Sequence, residues 1–201
     1  MTLALRVLAA FLIGSIPFAK IAMLGTGIDI TRVGSNNPGF NNVLRVSSKW
    51  RAAIALIGDI GKGCLAVWLL GTHWLIVIAP VVGHCWSPWL RFNGGKGVAT
   101  TVGVMMYMRP WITLACLPLY PALRFVGRKM GWRQEGAIAS MSTMLLLSIL
   151  VREAYAFAML AIVIIRHIPN IREIMGSRRE PPSGQLRSPS ANVQAARRRS
   201  R

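Results

Sequence analysis

Apolar residues gather into seven stretches along the chain: Leu3–Met23, Ala52–Leu70, Trp74–Leu90, Val98–Met108, Trp111–Leu123, Ala137–Val151 and Ala154–Ile165. The first three approach the roughly 20 residues that a helix needs to cross a hydrocarbon core, and the last four reach about half to three-quarters of that. Basic residues punctuate the pattern unevenly. Segments 29–51, 91–97, 124–133 and 166–201 carry 4, 2, 4 and 9 of the 24 Lys+Arg, whereas turns 71–73, 109–110 and 152–153 hold only Arg109 and Arg152. Basic segments stay on the cytoplasmic side, so an even number of crossings separates each consecutive pair. Val98–Leu123 and Ala137–Ile165 then read as two-helix hairpins. The pattern predicts an all-α, polytopic integral membrane protein of about seven transmembrane helices, N-terminus outside and C-terminus cytoplasmic. Tilted, thinned or partly re-entrant helices accommodate the short members.

Composition sharpens this picture. The chain has 201 residues, a formal net charge of +18, 53% hydrophobic residues and only 15% charged ones, with a mean hydropathy of +0.46. That combination excludes an ordinary soluble domain, and the length suits one domain. A strongly basic chain first suggests nucleic acid or an anionic membrane surface, but here the charge marks topology. Arg6 followed by an apolar run imitates a signal peptide. No clean small-residue cleavage site precedes Pro17, so the first helix reads as retained. Residues 1–175 form the expected transmembrane domain. Residues 176–201, rich in Arg, Ser, Pro, Gly and Gln, form a basic tail expected to be disordered and drawn to anionic headgroups. Nucleic acid is not an expected partner. Cys64, Cys85 and Cys116 are isolated within apolar stretches, so they read as small core residues; no disulfide, metal site or cofactor is expected.

Polar residues that membrane spans do not require form three clusters. The first is Gly34-Ser35-Asn36-Asn37-Pro38-Gly39-Phe40-Asn41-Asn42-Val43-Leu44-Arg45. Its Gly, Pro and Asn residues make a tight turn whose backbone N–H groups can converge on one point, and Arg45 adds a planar fork suited to phosphate. An ordinary helix-capping loop has the same composition. The second is Phe92-Asn93-Gly94-Gly95-Lys96-Gly97-Val98-Ala99-Thr100-Thr101, a glycine loop with one Lys before an apolar helix. Helix N-termini favour anions. It is not a Walker A loop, because Leu90 and Gly97 occupy the positions of its first Gly and its Ser/Thr. A flexible turn with a topology-setting Lys is the bland alternative. The third is Arg166-His167-Ile168-Pro169-Asn170-Ile171-Arg172, where a basic juxtamembrane segment is expected in any case. All three fall on one predicted membrane face. They offer cationic, amide and hydroxyl donors without a carboxylate, which suits a phosphorylated anionic substrate.

Other polar residues carry smaller expectations. Asp59 and Lys62, three apart in the second span, share a helical face and neutralise each other, or line an ion pathway. His84 reads as a satisfied interface histidine. Ser140 and Ser142 are placed to bond across helices, with substrate contact a side possibility. Trp50, Trp74, Trp86, Trp89, Trp111 and Trp132 read as interface anchors. A small anion transporter is the competing reading, and it would place its binding groups near the midplane. A membrane anchor with a nucleic-acid-binding tail leaves the three clusters unexplained.

Several fragments, in order, resemble the bacterial glycerol-3-phosphate acyltransferase family that uses acyl-phosphate, the PlsY-type integral membrane enzymes. They are Gly14-Ser15-Ile16-Pro17-Phe18, Gly34-Ser35 with Asn37-Pro38-Gly39 and Asn42-Val43-Leu44-Arg45, Asp59-Ile60 with Lys62-Gly63, Gly94-Gly95-Lys96-Gly97-Val98-Ala99-Thr100, and His167 with Asn170-Ile171. Asn36 and Asn41 stand where that family usually has Gly and Thr. After Asn170 the family's Arg generally falls one position beyond Arg172, where this chain has Glu173.

The resemblance implies transfer of a fatty acyl group from acyl-phosphate to the 1-hydroxyl of glycerol 3-phosphate, in phospholipid synthesis. It implies catalytic roles for Ser35, Arg45, Lys96, His167 and Asn170. Substrate contacts would come from Gly34, Asn37, Gly39, Asn42, Gly94, Gly95, Gly97, Thr100 and Ser142. Ser35 and backbone N–H groups would hold the acyl-phosphate head, Arg45 and Lys96 would neutralise phosphate, and His167 and Asn170 would complete glycerol-phosphate binding. A substrate phosphate oxygen, His84 or His167 would take the hydroxyl proton, and the phosphate is favoured. The expected partners are the two substrates and membrane lipids, for a monomer in the bacterial cytoplasmic (inner) membrane with its site at the cytoplasmic face.

Overall fold

The computed structural model describes residues 1–176, and these are all helical apart from turns and loops. The expectation for the tail beyond Gly176 lies outside the described residues. The chain divides into two units, Met1–Ile168 and the part from Pro169 onward. The second is described only in the last turns of one helix.

Ten α-helices are present among the described residues: α1 Leu3–Ser15, α2 Phe18–Ala22, α3 Phe40–Val46, α4 Lys49–Leu70, α5 Trp74–Cys85, α6 Val98–Met108, α7 Pro110–Cys116, α8 Leu119–Lys129, α9 Glu135–Val151 and α10 Ala154–Gly176. Local sequence accounts for many of the boundaries. Ser48 caps α4 by accepting the Arg51 N–H on its hydroxyl, and Gly71 ends that helix in a conformation open to glycine, φ +101°. Pro17 lacks an N–H and interrupts the first apolar stretch, so α1 and α2 follow each other around a break at Ile16–Pro17.

Three segments are long and apolar enough to cross a membrane: Leu3–Ala22, Lys49–Leu70 and Ala154–Gly176. Trp74–Leu90, Val98–Met108 and Glu135–Val151 are shorter apolar helices. The fifth expected span, Trp111–Leu123, is not one helix. It breaks between α7 and α8 at Leu117–Pro118, because Pro118 and Pro121 cannot donate to the carbonyls of Leu114 and Leu117. The continuation, α8, is amphipathic, carrying Arg124, Arg128 and Lys129. Val98–Leu123 is therefore not a pair of straight spans.

Helix pairs meet through glycine. A Cβ on Gly63 of α4 would overlap the Thr100 carbonyl of α6, and one on Gly103 of α6 would overlap the Ile60 carbonyl of α4. The same reciprocity joins α1 to α5, where Gly14 lies against the backbone of Pro80 and Gly83 against the Phe11 carbonyl. In each pair the glycine sits three residues beyond the carbonyl or backbone that receives its partner. Small residues let helices approach this closely where lipid removes the hydrophobic drive for association. Ala10, Ala66 and Ala79 continue the seam with Ile76. Large apolar side chains such as Trp68, Trp111, Leu150 and Ile165 point outward, as lipid-facing residues do. Ser140, expected to bond across helices, instead donates to the Gly136 carbonyl one turn back in α9 at 2.7 Å; this is the usual local alternative for a helical serine. Cys64, Cys85 and Cys116 are free.

Candidate functional site

The first polar cluster forms a loop closed by Asn42. Asn42 is buried in α3; its Nδ2 donates to the carbonyls of Ile30 at 3.1 Å and Val33 at 2.9 Å, and its Oδ1 accepts the Ser35 N–H at 2.9 Å. Gly34, at φ +62°, gives way to this side chain, since a Cβ there would strike Asn42 Oδ1. Asn36 stands where glycine is usual in the resembled family and has φ +55°; asparagine tolerates that left-handed conformation better than most residues. The Ser35 and Asn36 N–H groups are thus committed within the loop, Asn36 to the Val33 carbonyl. The Ser35 side chain and Arg45, in the last turn of α3, face outward. Gly39 precedes α3 as its N-cap and donates its N–H to the Asn37 carbonyl.

Asn41, which replaces the family's Thr, ties this loop to α8 and α9. Its Nδ2 donates to the Tyr120 hydroxyl at 2.8 Å, and its Oδ1 accepts from Arg124 at 2.7 Å. Arg124 in turn pairs with Glu135 at 3.3 Å. The amide carries its donor and its acceptor on separate atoms, so both contacts form at once.

The second cluster is packed against the end of α5. The Gly94 N–H donates to the Cys85 carbonyl and the Gly95 N–H to the His84 carbonyl, both at 3.1 Å. A Cβ on Gly95 would overlap the His84 ring, and one on Gly94 the His84 carbonyl. These two N–H groups are therefore bonded to the end of α5. Gly97, at φ +83°, caps α6, whose first N–H groups have no intrahelical acceptor. Lys96, half-buried, stands between Gly95 and Gly97 in the chain. Arg166 of α10 closes the loop from its other side. Its guanidinium donates to the Gly94 carbonyl at 2.7 Å and the Gly95 carbonyl at 3.0 Å, and stacks over Trp86. Sequence reasoning counted Arg166 among the basic residues without giving it a role.

His167 is buried, and its Nδ1 lies 2.7 Å from the Val163 carbonyl. A carbonyl only accepts, so Nδ1 carries the hydrogen and Nε2 is the acceptor in this arrangement. Asn170 falls beyond Pro169, in the second unit. Thr100 is fully buried at the α4–α6 contact, its carbonyl against Gly63. Ser142 is half-buried on α9.

One cleft touches both loops. Pro38 and Gly95 line it, with Ser15, Phe18, Asp59, Lys62, His84 and Ser87. Asp59 and Lys62 pair at 2.6 Å, as their spacing predicted. Around the α1–α2 break, the Ser87 hydroxyl donates to the Ser15 carbonyl at 2.6 Å and the Trp89 indole to the Ser15 hydroxyl at 2.9 Å. Neither contact was legible from spacing, because they join residues more than 70 positions apart. Two glycine loops, a buried ion pair and a histidine thus meet around one opening beside apolar helices.

The glycerol-3-phosphate acyltransferase family model matches residues 4–177. Among curated proteins named glycerol-3-phosphate acyltransferase, one from Laribacter hongkongensis (strain HLHK9) is 39% identical over 140 residues, 64% of this chain and 70% of that protein. Another, from Aromatoleum aromaticum, is 38% identical over 185 residues, 87% of this chain and 94% of that protein. The fold is similar to crystal structures of PlsY (YgiH), an integral membrane glycerol 3-phosphate acyltransferase. The glycerol 3-phosphate form superposes with a TM-score of 0.75 at 28% identity, over 91% of this chain and 96% of that one. The lysophosphatidic acid form gives 0.72 over the same coverage.

Proposed function

The chain belongs to the glycerol-3-phosphate acyltransferase family, and we propose that it transfers a fatty acyl group from an acyl-phosphate to the 1-hydroxyl of glycerol 3-phosphate. The products are 1-acyl-glycerol 3-phosphate and inorganic phosphate. The observation that carries this reading is a cleft lined by both glycine loops in a fold similar to the glycerol 3-phosphate form of PlsY. One substrate is a soluble dianion and the other an acyl chain with a phosphate head, so a cleft beside apolar helices, lined by parts of the loops that carry Ser35, Arg45 and Lys96, suits both.

In the reaction, the glycerol hydroxyl oxygen bonds to the acyl carbonyl carbon, and the bond from that carbon to the phosphate oxygen breaks. The hydroxyl proton goes to an oxygen of the departing phosphate, itself a base held at the site. Arg45 and Lys96 neutralise phosphate charge. The Ser35 hydroxyl and the first N–H groups of α6 hold the acyl-phosphate head, and Asn37, Gly39 and Gly97 shape the walls. His167 completes glycerol-phosphate binding, and Ser142 contacts substrate from α9. Donors aimed at the attacked carbonyl supply electrostatic stabilisation, and bringing both substrates to one cleft supplies the proximity term. The acyl tail lies between helices, open to lipid. Residues 1–175 constitute this acyltransferase domain, monomeric in the cytoplasmic (inner) membrane with the site at the cytoplasmic face.

The test is purified protein mixed with palmitoyl-phosphate and glycerol 3-phosphate, following phosphate release and lysophosphatidate formation. Product formation that requires both substrates supports the proposal. Folded protein that releases no phosphate overturns it.

A further inference from the structure

The innermost wall of the cleft holds three ionisable side chains that neither glycine loop contains. Lys62 Nζ lies 2.6 Å from Asp59 Oδ1, with side-chain exposures of 2% and 3%. The same ammonium donates to the Ile16 carbonyl at 2.7 Å, on the residue just before the Pro17 break. His84 Nδ1 lies 3.4 Å from the same Asp59 oxygen. The far side of the His84 ring fills the space where a Gly95 side chain would stand, while the His84 carbonyl accepts the Gly95 N–H. One carboxylate oxygen therefore links the α1–α2 break, the last turn of α5 and the glycine loop.

Stability alone is a poor account of this arrangement. Desolvating two ions offsets their attraction, so a buried pair contributes little over apolar residues of the same size. What the carboxylate adds is a fixed negative charge beside the ring: Asp59 Oδ1 stands 3.4 Å from His84 Nδ1, and an apolar side chain offers the imidazole no such attraction. A fixed ring is what the loop rests on, because Gly94 and Gly95 have no side chains of their own to set their position.

We propose that Asp59, with Lys62 as its counter-ion, is a positioning residue. It orients the His84 ring, and through that ring it sets the Gly94–Gly97 backbone that presents Lys96 to substrate phosphate. This rests on the phosphate-binding role of the loop proposed above. Asp59→Asn or Asp59→Leu alone strands a buried ammonium and unfolds protein for reasons unrelated to the loop. The informative variants remove both charges. Asp59→Leu with Lys62→Met deletes the pair and the oxygen beside His84, whereas Asp59→Asn with Lys62→Met deletes the charges and keeps a polar oxygen beside the ring. His84→Ala removes the ring and leaves the ion pair in place.

The experiment uses the full chain in detergent. It combines backbone hydrogen exchange at residues 94–97 with kcat and KM for glycerol 3-phosphate, using thermal melting to establish folding. In the Leu/Met double variant and in His84→Ala, loop exchange accelerates about tenfold and KM rises about tenfold with a smaller change in kcat. The Asn/Met double variant lies closer to wild type. Wild-type exchange at residues 94–97 in folded His84→Ala overturns the proposal, as do equal exchange and KM in two folded double variants. The exchange measurement uses no substrate. Faster exchange in a protein whose wild type does not turn over supports the positioning and sinks the acyltransfer reading instead.

Discussion

The side-chain oxygen of Asn42 accepts the backbone N–H of Ser35 at 2.9 Å while its amide nitrogen donates to the carbonyls of Ile30 and Val33. One buried side chain thus replaces the secondary structure that this loop lacks. Its donor and acceptor ends are both required. Asn42→Asp turns a carboxylate towards two carbonyls and loses both donor bonds, at an expected cost of about 2–4 kcal/mol. Asn42→Ala costs about 1–3 kcal/mol. Thermal melting in detergent measures both, and kcat/KM is expected to fall with them as Ser35 is released. An active Asn42→Asp protein with wild-type melting would remove Asn42 from the loop's support.

Glycine at the α4–α6 contact makes a sharper contrast. Gly103→Ala pushes a methyl group into the Ile60 carbonyl, an overpacking expected to cost about 1–3 kcal/mol. Gly61, in the same helix as Ile60, has open space around its Cβ position. Gly61→Ala is expected to be neutral or to stabilise by up to about 1 kcal/mol through helix propensity. Melting temperatures in the reverse order would refute close backbone contact between these helices.

Lys96 is the charge carried by the glycine loop. For Lys96→Ala, kcat/KM is expected to fall about 100-fold, near 3 kcal/mol of lost transition-state stabilisation, with melting unchanged. Near-normal rates would exclude Lys96 from phosphate binding.

Proton transfer separates two accounts of His167. His167→Asn keeps a donor for the Val163 carbonyl, which His167 Nδ1 approaches at 2.7 Å, and removes the ring's basic nitrogen. If the departing phosphate takes the hydroxyl proton, the pH–rate profile keeps its shape and kcat stays within about tenfold of wild type. Near-complete loss of turnover at saturating substrates would assign the base to His167.

Much of the fold was legible from residue order. The apolar stretch Ala52–Leu70 anticipates the long helix Lys49–Leu70, whereas Leu3–Met23 is broken at Pro17 and the short stretch Ala154–Ile165 continues as helix to Gly176. Asp59 and Lys62 pair as i,i+3 neighbours must. Trp111–Leu123 misled because its apolar composition outweighed Pro118, whose missing N–H splits α7 from α8. At the site, the loops stood out by their Gly and Asn content, but their internal bonding did not. Composition does not reveal that the Gly94 and Gly95 N–H groups turn to the end of α5.

Sequence by itself determined what one segment does alone: where the chain is apolar enough for helices, where proline and glycine interrupt them, and which pairs lie within one turn. Its ordered motifs also determined the family. Tertiary structure decided everything that depends on two segments meeting. Arg166 clamps Gly94 and Gly95 from 71 residues away or more, Asn41 finds Arg124 on α8, and His84 finds Asp59 on α4. The physical reason is range. Helix propensity and breaking act over a few residues along the chain, whereas a hydrogen bond is set by angles and distances in space. Only the packed helices, brought close by Gly14, Gly63, Gly83 and Gly103, bring those partners within reach.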